Sequence, residues 1–147
     1  MAETVSVTIT QREKYQFVVD FGEEIASMIA DEPVPLGDGL GPAPTHLLLA
    51  GVANCLSASL HFALGKFKQD ADGIQATARC TIDRNEAKRL RVVAIDVDMH
   101  LGRPGAQIEH LDRVLSQFED FCTVSQSVRA GIPINVTVRD GDGVVVK

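Results

Sequence analysis

Positive charge is the first thing this sequence is short of. Fourteen Lys and Arg stand against twenty Asp and Glu, a net charge of −6, and the basic residues form no cluster. A surface that holds a phosphate backbone needs a basic stripe, so nucleic acid is not an expected partner. Long apolar runs are missing as well: no stretch approaches the roughly 18 apolar residues of a bilayer span. The opening MAETVSVTITQREKYQF has no basic segment leading into an apolar one, which gives the expectation of a cytoplasmic protein with no membrane partner. Three cysteines at wide spacing do not make a secreted disulfide framework, and in a reducing compartment any disulfide is transient. There is no C-x-x-C, and His46, His61, His100 and His110 are scattered, so no metal and no cofactor is expected. The glycines of GDGLG lack the Lys and the Ser or Thr of a phosphate loop, with no strand entering them. Ser57 and Ser59 fall inside a helical pattern, not on the strained elbow of a serine hydrolase.

What is present reads as one α+β domain spanning 1–147. Residues 4–10 alternate Val and Ile with Thr and Ser, and 14–20 are rich in aromatic and β-branched residues, so both read as strands of a hairpin. EIASMIAD adds a third, shorter strand. Residues 31–44 hold four of the six prolines and three glycines, which excludes regular structure and makes this the longest loop. A helix follows, with Thr45 as its expected N-cap and Gly65 and Lys66 as its stop. Its apolar residues occupy nearly every face, and Ala50, Gly51, Ala53 and Ala58 permit close approach, so it reads as central and buried. Strands over 74–83 and 90–101 form a second hairpin. An amphipathic helix is expected over 105–121, carrying Ile108, Leu111, Val114, Leu115 and Phe118 on one side. A short helix over 122–131, capped by Thr123 or Cys122 and closed by Gly131, precedes a last strand at 132–138 and a DGDG turn. The order is βββ-α-ββ-α-α-β, with no repeat and no linker.

The cysteines divide on physical grounds. A thiol becomes nucleophilic where a helix N-terminus or a cation stabilises its thiolate. Cys122 stands where the free N–H groups of the last helix converge, and it reads equally as an activated thiol or as a buried cap neighbour. Cys55 lies about ten residues into its helix, where the dipole has faded, and by itself reads as core. Cys80, on a strand beside Ala76 and Ala78, reads as structural.

ADEPVPLGDGLGPAPTHLLLAGVANC, followed later by FCTVSQSVRAGIPINVTV with its C-x-V-S motif, resembles the OsmC/Ohr family, the osmotically inducible and organic-hydroperoxide-resistance proteins. The element order agrees across essentially the whole chain. The resemblance implies an OsmC-like fold, with antiparallel sheets wrapped around long central helices in an intertwined homodimer, each site lying at the subunit interface. It also implies a thiol peroxidase reducing organic hydroperoxides to alcohols, with Cys55 as the peroxidatic thiolate and Cys122 as the resolving thiol. That assignment reverses the ranking of the two cysteines reached without it. The implied reductant is a small dithiol or a lipoylated protein. Leu56, Phe62 and Phe121 would suit the lining of a pocket for a bulky substrate, though such residues also make ordinary core.

Two features depart from the family pattern. Where members often carry glutamate at the helix start, paired with an arginine, this chain has Pro44-Thr45-His46. A histidine cannot make that ion pair; it could exchange a proton with a thiol or peroxide, or it is an exposed first-turn residue, nine positions from Cys55 and so on the opposite side of the helix. Arg12, in the N-terminal turn, is the candidate for the arginine. Asp31 and Glu32 match a family feature, with Glu32 and His46 carried as candidate substrate-binding residues and loop ordering as the plain alternative. The departures leave a second reading open: a small-molecule-binding or redox-sensing dimer of the same fold with little turnover. A third is a structural dimer with inert thiols.

Overall fold

The computed structural model describes residues 2–131, 135–140 and 145–147. β1 (Thr8–Glu13), β2 (Gln16–Asp20) and β3 (Met28–Ala30) form an antiparallel sheet in the order β1-β2-β3. The first strand begins later than its alternating pattern suggests. Its register is set by the two-residue turn Lys14–Tyr15, with Lys14 at φ 49°. Pairing then runs from Glu13↔Gln16 to Thr8↔Asp20 and stops where β2 stops. Val5 and Val7 are left exposed beyond it. Arg12 therefore lies within β1, at the irregularity between Gln11 and Glu13, and not in the turn.

The long loop is held from inside by one carboxylate. Asp31, 2 % exposed, accepts from the N–H groups of Glu32 (2.8 Å), Asp38 (3.2 Å) and Leu40 (3.1 Å). Burial alone would raise its pKa; the hydrogen bonds from Leu40, Glu32 and Asp38, with the charge of Lys14, outweigh that and lower it. Glycine is required at two points by close approach: a Cβ on Gly37 would meet the Glu32 carbonyl and the Asp31 carboxylate, and one on Gly41 would meet the Ile29 carbonyl. These contacts, with Gly39 at a left-handed φ of 67°, explain GDGLG without a phosphate.

α1 (Pro44–Lys66) follows. Its N-cap is Ala43, with Pro44 at the first helical position, not Thr45 as expected. Proline serves there because its missing N–H would be unpaired in any case. By length and composition α1 could cross a bilayer, contrary to the sequence expectation; single polar residues such as Asn54 and Ser59 interrupt the run without lowering its overall apolarity. One face, carrying Val52, Leu56, Ser59, Leu60, Ala63 and Leu64, is buried. It packs against β4 (Ile74–Arg84) and the C-terminal helices. Burial is incomplete: Leu48, one turn before Val52 on the same side, and Phe62, on another face, are exposed.

β4 pairs with β5 (Leu90–Leu101) along their whole lengths, with one irregularity at Thr81/Ile82. The single amphipathic helix expected over 105–121 is broken into a 3-10 turn at Gly105–Gln107, α2 (Leu111–Gln117) and a second 3-10 turn at Phe118–Phe121. The break lies at His110, whose φ of 60° is left-handed and cannot continue a helix. The apolar spacing survives it, since Ile108 and Val114 are both buried. α3 (Thr123–Ala130) is the short helix expected, closed by Gly131 at φ 77°. Of the expected last strand, 132–134 lie outside the described residues, as do 141–143 of the DGDG turn. Beyond them, Val138 donates to the Lys147 carbonyl (3.0 Å), and Arg139 and Val145 form an antiparallel bridge.

The accessible surface is 11141 Å². A compact monomer of this length exposes roughly 7,300 Å². Among the described residues, both outer edges of the β1-β2-β3 sheet are unpaired.

Because the folded Asp31 pKa is lowered, its stabilising contribution is complete above the ordinary aspartate value of 3.8 and is lost as pH falls through the folded value. Asp31→Asn should therefore melt below the parent at pH 7, and the gap should close as melts are repeated downward from pH 4. A gap unchanged with pH would mean the charge on Asp31 is not what orders the loop.

Candidate active site

Cys122 is the N-cap of α3. The helix starts there because an extended residue (φ −83°, ψ 95°) places its sulfur to accept the Ser125 N–H at 3.3 Å. The residue is fully buried. It lies in an apolar cluster with Val52 and Leu56 of α1, against which Cys55, Ile95, Val97, Met99, Phe118, Val124 and Val128 pack. Cys55 and Ser59, one turn apart on α1, both reach toward this sulfur. Burial pushes the Cys122 thiol up, but the Ser125 hydroxyl, the Cys55 thiol, the Ser125 N–H and Ser59 together bring it below its ordinary value. Cys55 is half-buried, and all three cysteines are free.

The Ser125 side chain presents two facts that pull apart. Its hydroxyl stands close enough to lower the Cys122 pKa, yet Oγ is buried and makes no hydrogen bond of normal geometry. The hydroxyl thus lies near the sulfur without being bonded to it. An orphaned buried hydroxyl costs roughly 1–3 kcal/mol.

Beside this cluster is an apolar cavity of about 820 Å³. Leu48, Val52 and Leu56 of α1 form one wall, β5 from Val92 to Met99 another, and Ser125, Val128 and Arg129 close it from α3. Arg129 pairs with Glu119 at 3.3 Å. Leu56 lines the cavity as the sequence suggested, but Phe62 and Phe121 lie outside it. Those two rings pack edge to face, centroids 5.4 Å apart, with the Lys66 ammonium over both.

His46 and Glu32 meet in a second recess of about 360 Å³, together with Thr45 and Arg91. Val92 lines both recesses, so they adjoin along β5. His46 is exposed at the third helical position, and its Nδ1 accepts the Ala43 N–H at 3.0 Å. An imidazole that accepts through Nδ1 carries its proton on Nε2. Here histidine fills the place of the Glu or Gln that reaches back in a capping box, and Ala43, with no side-chain acceptor, leaves the box half made. Arg12 is exposed on β1, with no hydrogen bond or ion pair among the described residues. Within one chain the structure thus unites Cys55 with Cys122 and His46 with Glu32, but it does not bring Arg12 to either pair.

Sequence reasoning missed Ser59, Ser125 and Arg91. Ser125 was visible as the last residue of the C-x-V-S motif, and Ser59 as the residue one turn beyond Cys55. Arg91 had no signal, because its place beside Glu32 and His46 depends on how β5 lies across the start of α1. Among the described residues no group of His, Cys, Asp and Glu could hold a metal ion.

A family profile described as OsmC-like protein matches residues 37–137. No curated protein matches the sequence. Several solved structures share the fold. An OsmC-like protein of unknown function from Vibrio cholerae superposes with a TM-score of 0.72 at 14% identity, covering 86% of this chain and 94% of its own. The organic hydroperoxide resistance protein OsmC from Legionella pneumophila gives 0.66 at 15% over 88% and 91%. The organic hydroperoxide resistance protein OhrB of Bacillus subtilis gives 0.65 at 16% over 88% and 93%. At such identities the likeness is one of fold.

Removing the cap acceptor in His46→Ala should cost roughly 0.5–1 kcal/mol, a fall in melting temperature of about 1–4 °C. His46→Gln, which keeps an acceptor at the same reach, should recover most of it. Equal losses in both variants would show that the histidine is held there for something other than the cap.

Proposed function

We propose that this chain, which belongs to the OsmC-like family, is a homodimeric, cytoplasmic thiol peroxidase that reduces organic hydroperoxides to alcohols. The observation that carries the reading is the packing of Cys55 against Cys122 in one apolar cluster, with the second sulfur buried and its pKa lowered. Their burial divides the work. Cys55 is half-buried and can meet a substrate from outside, whereas Cys122 is fully buried and its reachable sulfur partner is Cys55.

In the first step the Cys55 thiolate attacks the terminal oxygen of R–O–O–H. The O–O bond breaks, the alkoxide takes a proton and leaves as alcohol, and Cys55 becomes a sulfenic acid. In the second, the Cys122 thiolate attacks that sulfur; the S–O bond breaks, hydroxide leaves as water after protonation, and the disulfide forms. A dithiol, free or as a lipoyl group on a protein, then reduces the disulfide by exchange. The apolar cavity beside the cluster favours a hydroperoxide with a hydrocarbon body over hydrogen peroxide. Phe62 and Phe121, exposed on one chain, would join that lining only from a dimer in which they face the partner.

Support for the dimer comes from surface area. The chain exposes about 3,800 Å² more than a compact monomer of its length, more than the roughly 1,000–2,500 Å² that each partner of an obligate homodimer buries, so the surplus is ample for such an interface. Arg12 would have to reach a site across such an interface.

A second reading has its own support. His46 is occupied as a helix cap and Arg12 is solvated in the single chain, so neither supplies an arginine–carboxylate pair to the thiolate. A redox-sensing or ligand-binding dimer with slow turnover would need only the two cysteines.

With dithiothreitol as reductant, cumene hydroperoxide consumption should fall at least about 100-fold in Cys55→Ser. Cys122→Ser should still form a sulfenic acid at Cys55, trapped by dimedone, without the crosslink. A parent protein that forms the disulfide once yet turns over no faster than free thiol would favour the sensor.

Sedimentation velocity should give twice the chain mass. Phe62→Glu, on the uncovered face of α1 and outside the cavity, should shift the population to monomer, and a parent that sediments as a monomer would remove the interface from the proposal.

A further inference from the structure

We propose that Ser125 is a positioning residue for the second thiol: its hydroxyl is held unbonded beside Cys122 so that it donates to the sulfur once the sulfur is an anion. The use of that anion in closing the disulfide rests on the peroxidase reading above. The assignment of the hydroxyl does not.

Three observations converge on it. Ser125 is 8 % exposed, and its Oγ has no partner. Its own N–H already donates to the Cys122 sulfur at 3.3 Å, which puts the hydroxyl on the same residue and the same turn as the existing donor. Alanine would satisfy every packing and helical requirement there better than serine does, since it forms helix more readily and buries no polar atom. A serine kept where it has no partner in the resting state is accounted for if its partner exists only in another state. A thiol sulfur is a weak acceptor and a thiolate a strong one, so ionisation of Cys122 supplies the missing partner without moving the backbone.

The surroundings leave few other sources of stabilisation. The titratable side chain facing Cys122 is Cys55 on α1. β5 presents Ile95, Val97 and Met99, and the turn before α3 presents Phe118. Glu119 and Arg129, the charged residues of the neighbouring cavity, are exposed and pair with each other. No cation among the described residues is bonded to the sulfur, so neutral donors carry the anion: the Ser125 N–H, the Ser125 hydroxyl and, from α1, Ser59.

The chemical consequence is directional. In Cys55–SOH + Cys122–S⁻ → disulfide + OH⁻, a larger thiolate fraction at Cys122 speeds closure. In the reverse sense, when an external dithiol attacks Cys55, the same donors stabilise Cys122 as the leaving thiolate. Ser125 acts on the resolving half of the cycle and leaves the Cys55 attack on peroxide alone.

The test starts from Cys55→Ser/Cys80→Ser, in which Cys122 is the one remaining thiol, and follows thiolate absorbance at 240 nm against pH. Adding Ser125→Ala should raise the midpoint by about one pH unit, a roughly tenfold loss of thiolate at fixed pH below it. Ser125→Thr should restore the midpoint. With all three cysteines present, Ser125→Ala should slow disulfide closure about tenfold after one equivalent of cumene hydroperoxide, with sulfenic acid formation at its parental rate and a melting temperature no lower than the parent's. In the unsubstituted protein, the Ser125 ¹³Cβ resonance should titrate with the Cys122 thiol, a readout that needs no variant to fold. An unchanged midpoint in Ser125→Ala, or a resonance indifferent to Cys122 ionisation, overturns the proposal. If the midpoint moves while the parent consumes no hydroperoxide, the peroxidase reading fails and the role of Ser125 stands.

Discussion

The contact on which the rest of this structure depends is the one between the capped start of α3 and the middle of α1. A sulfur caps a helix poorly compared with a carboxylate or hydroxyl oxygen, so Cys122 is an unusual choice for ending a chain of unpaired N–H groups. That weakness becomes an asset only if the sulfur ionises, because a thiolate is a strong acceptor for the same N–H. The α1 face of Val52, Cys55, Leu56 and Ser59 then does two jobs: it seals the cap from water and sets a second sulfur against the first. Everything proposed about redox chemistry follows from that one piece of packing.

The apolarity of α1 belongs to the same constraint. A helix buried on one face in a single chain needs one stripe of leucines and valines, and α1 has more than one. The uncovered Leu48 and Phe62, the unpaired sheet edges and the large accessible surface all describe a chain whose hydrophobic surface exceeds what it can bury alone. The loop before α1 is the opposite kind of element. It is held by the Asp31 carboxylate and by two glycines with no room for a side chain, and it delivers Pro44 into the first helical position. A rigid lead-in of this sort fixes where α1 begins and therefore which residues face α3.

The α+β class, the order of elements and most boundaries were legible from periodicity and turn residues. β4 and β5 fall within a residue of their patterns, and Cys122 was one of the two residues expected to cap α3. The misses have local causes. β1 starts late because strand register is set by the turn and by the length of the partner, neither of which alternation reports. The helix expected over 105–121 breaks at His110 because apolar spacing survives a left-handed residue that it cannot reveal. The cap of α1 moved from Thr45 to Ala43 because Pro44 takes the first helical position, and a backbone N–H can be met by a histidine three residues on. Of the candidate site residues, Cys55 and Cys122 came together, as did Glu32 and His46, while Arg12, Phe62 and Phe121 lie elsewhere in the single chain.

By itself the sequence determined which groups this protein can use: two thiols far apart in the chain, one of them opening a helix, in a surround without basic clusters or metal-ligand spacing. Such properties reside in residue type and short-range periodicity, which local physics reads directly. Tertiary structure decided which of those groups meet. Whether Cys55 sits in inert core or against a second sulfur, and whether the Ser125 hydroxyl has a partner, depends on how α1 and α3 pack, and long-range packing sums many small contacts that no single stretch of sequence carries.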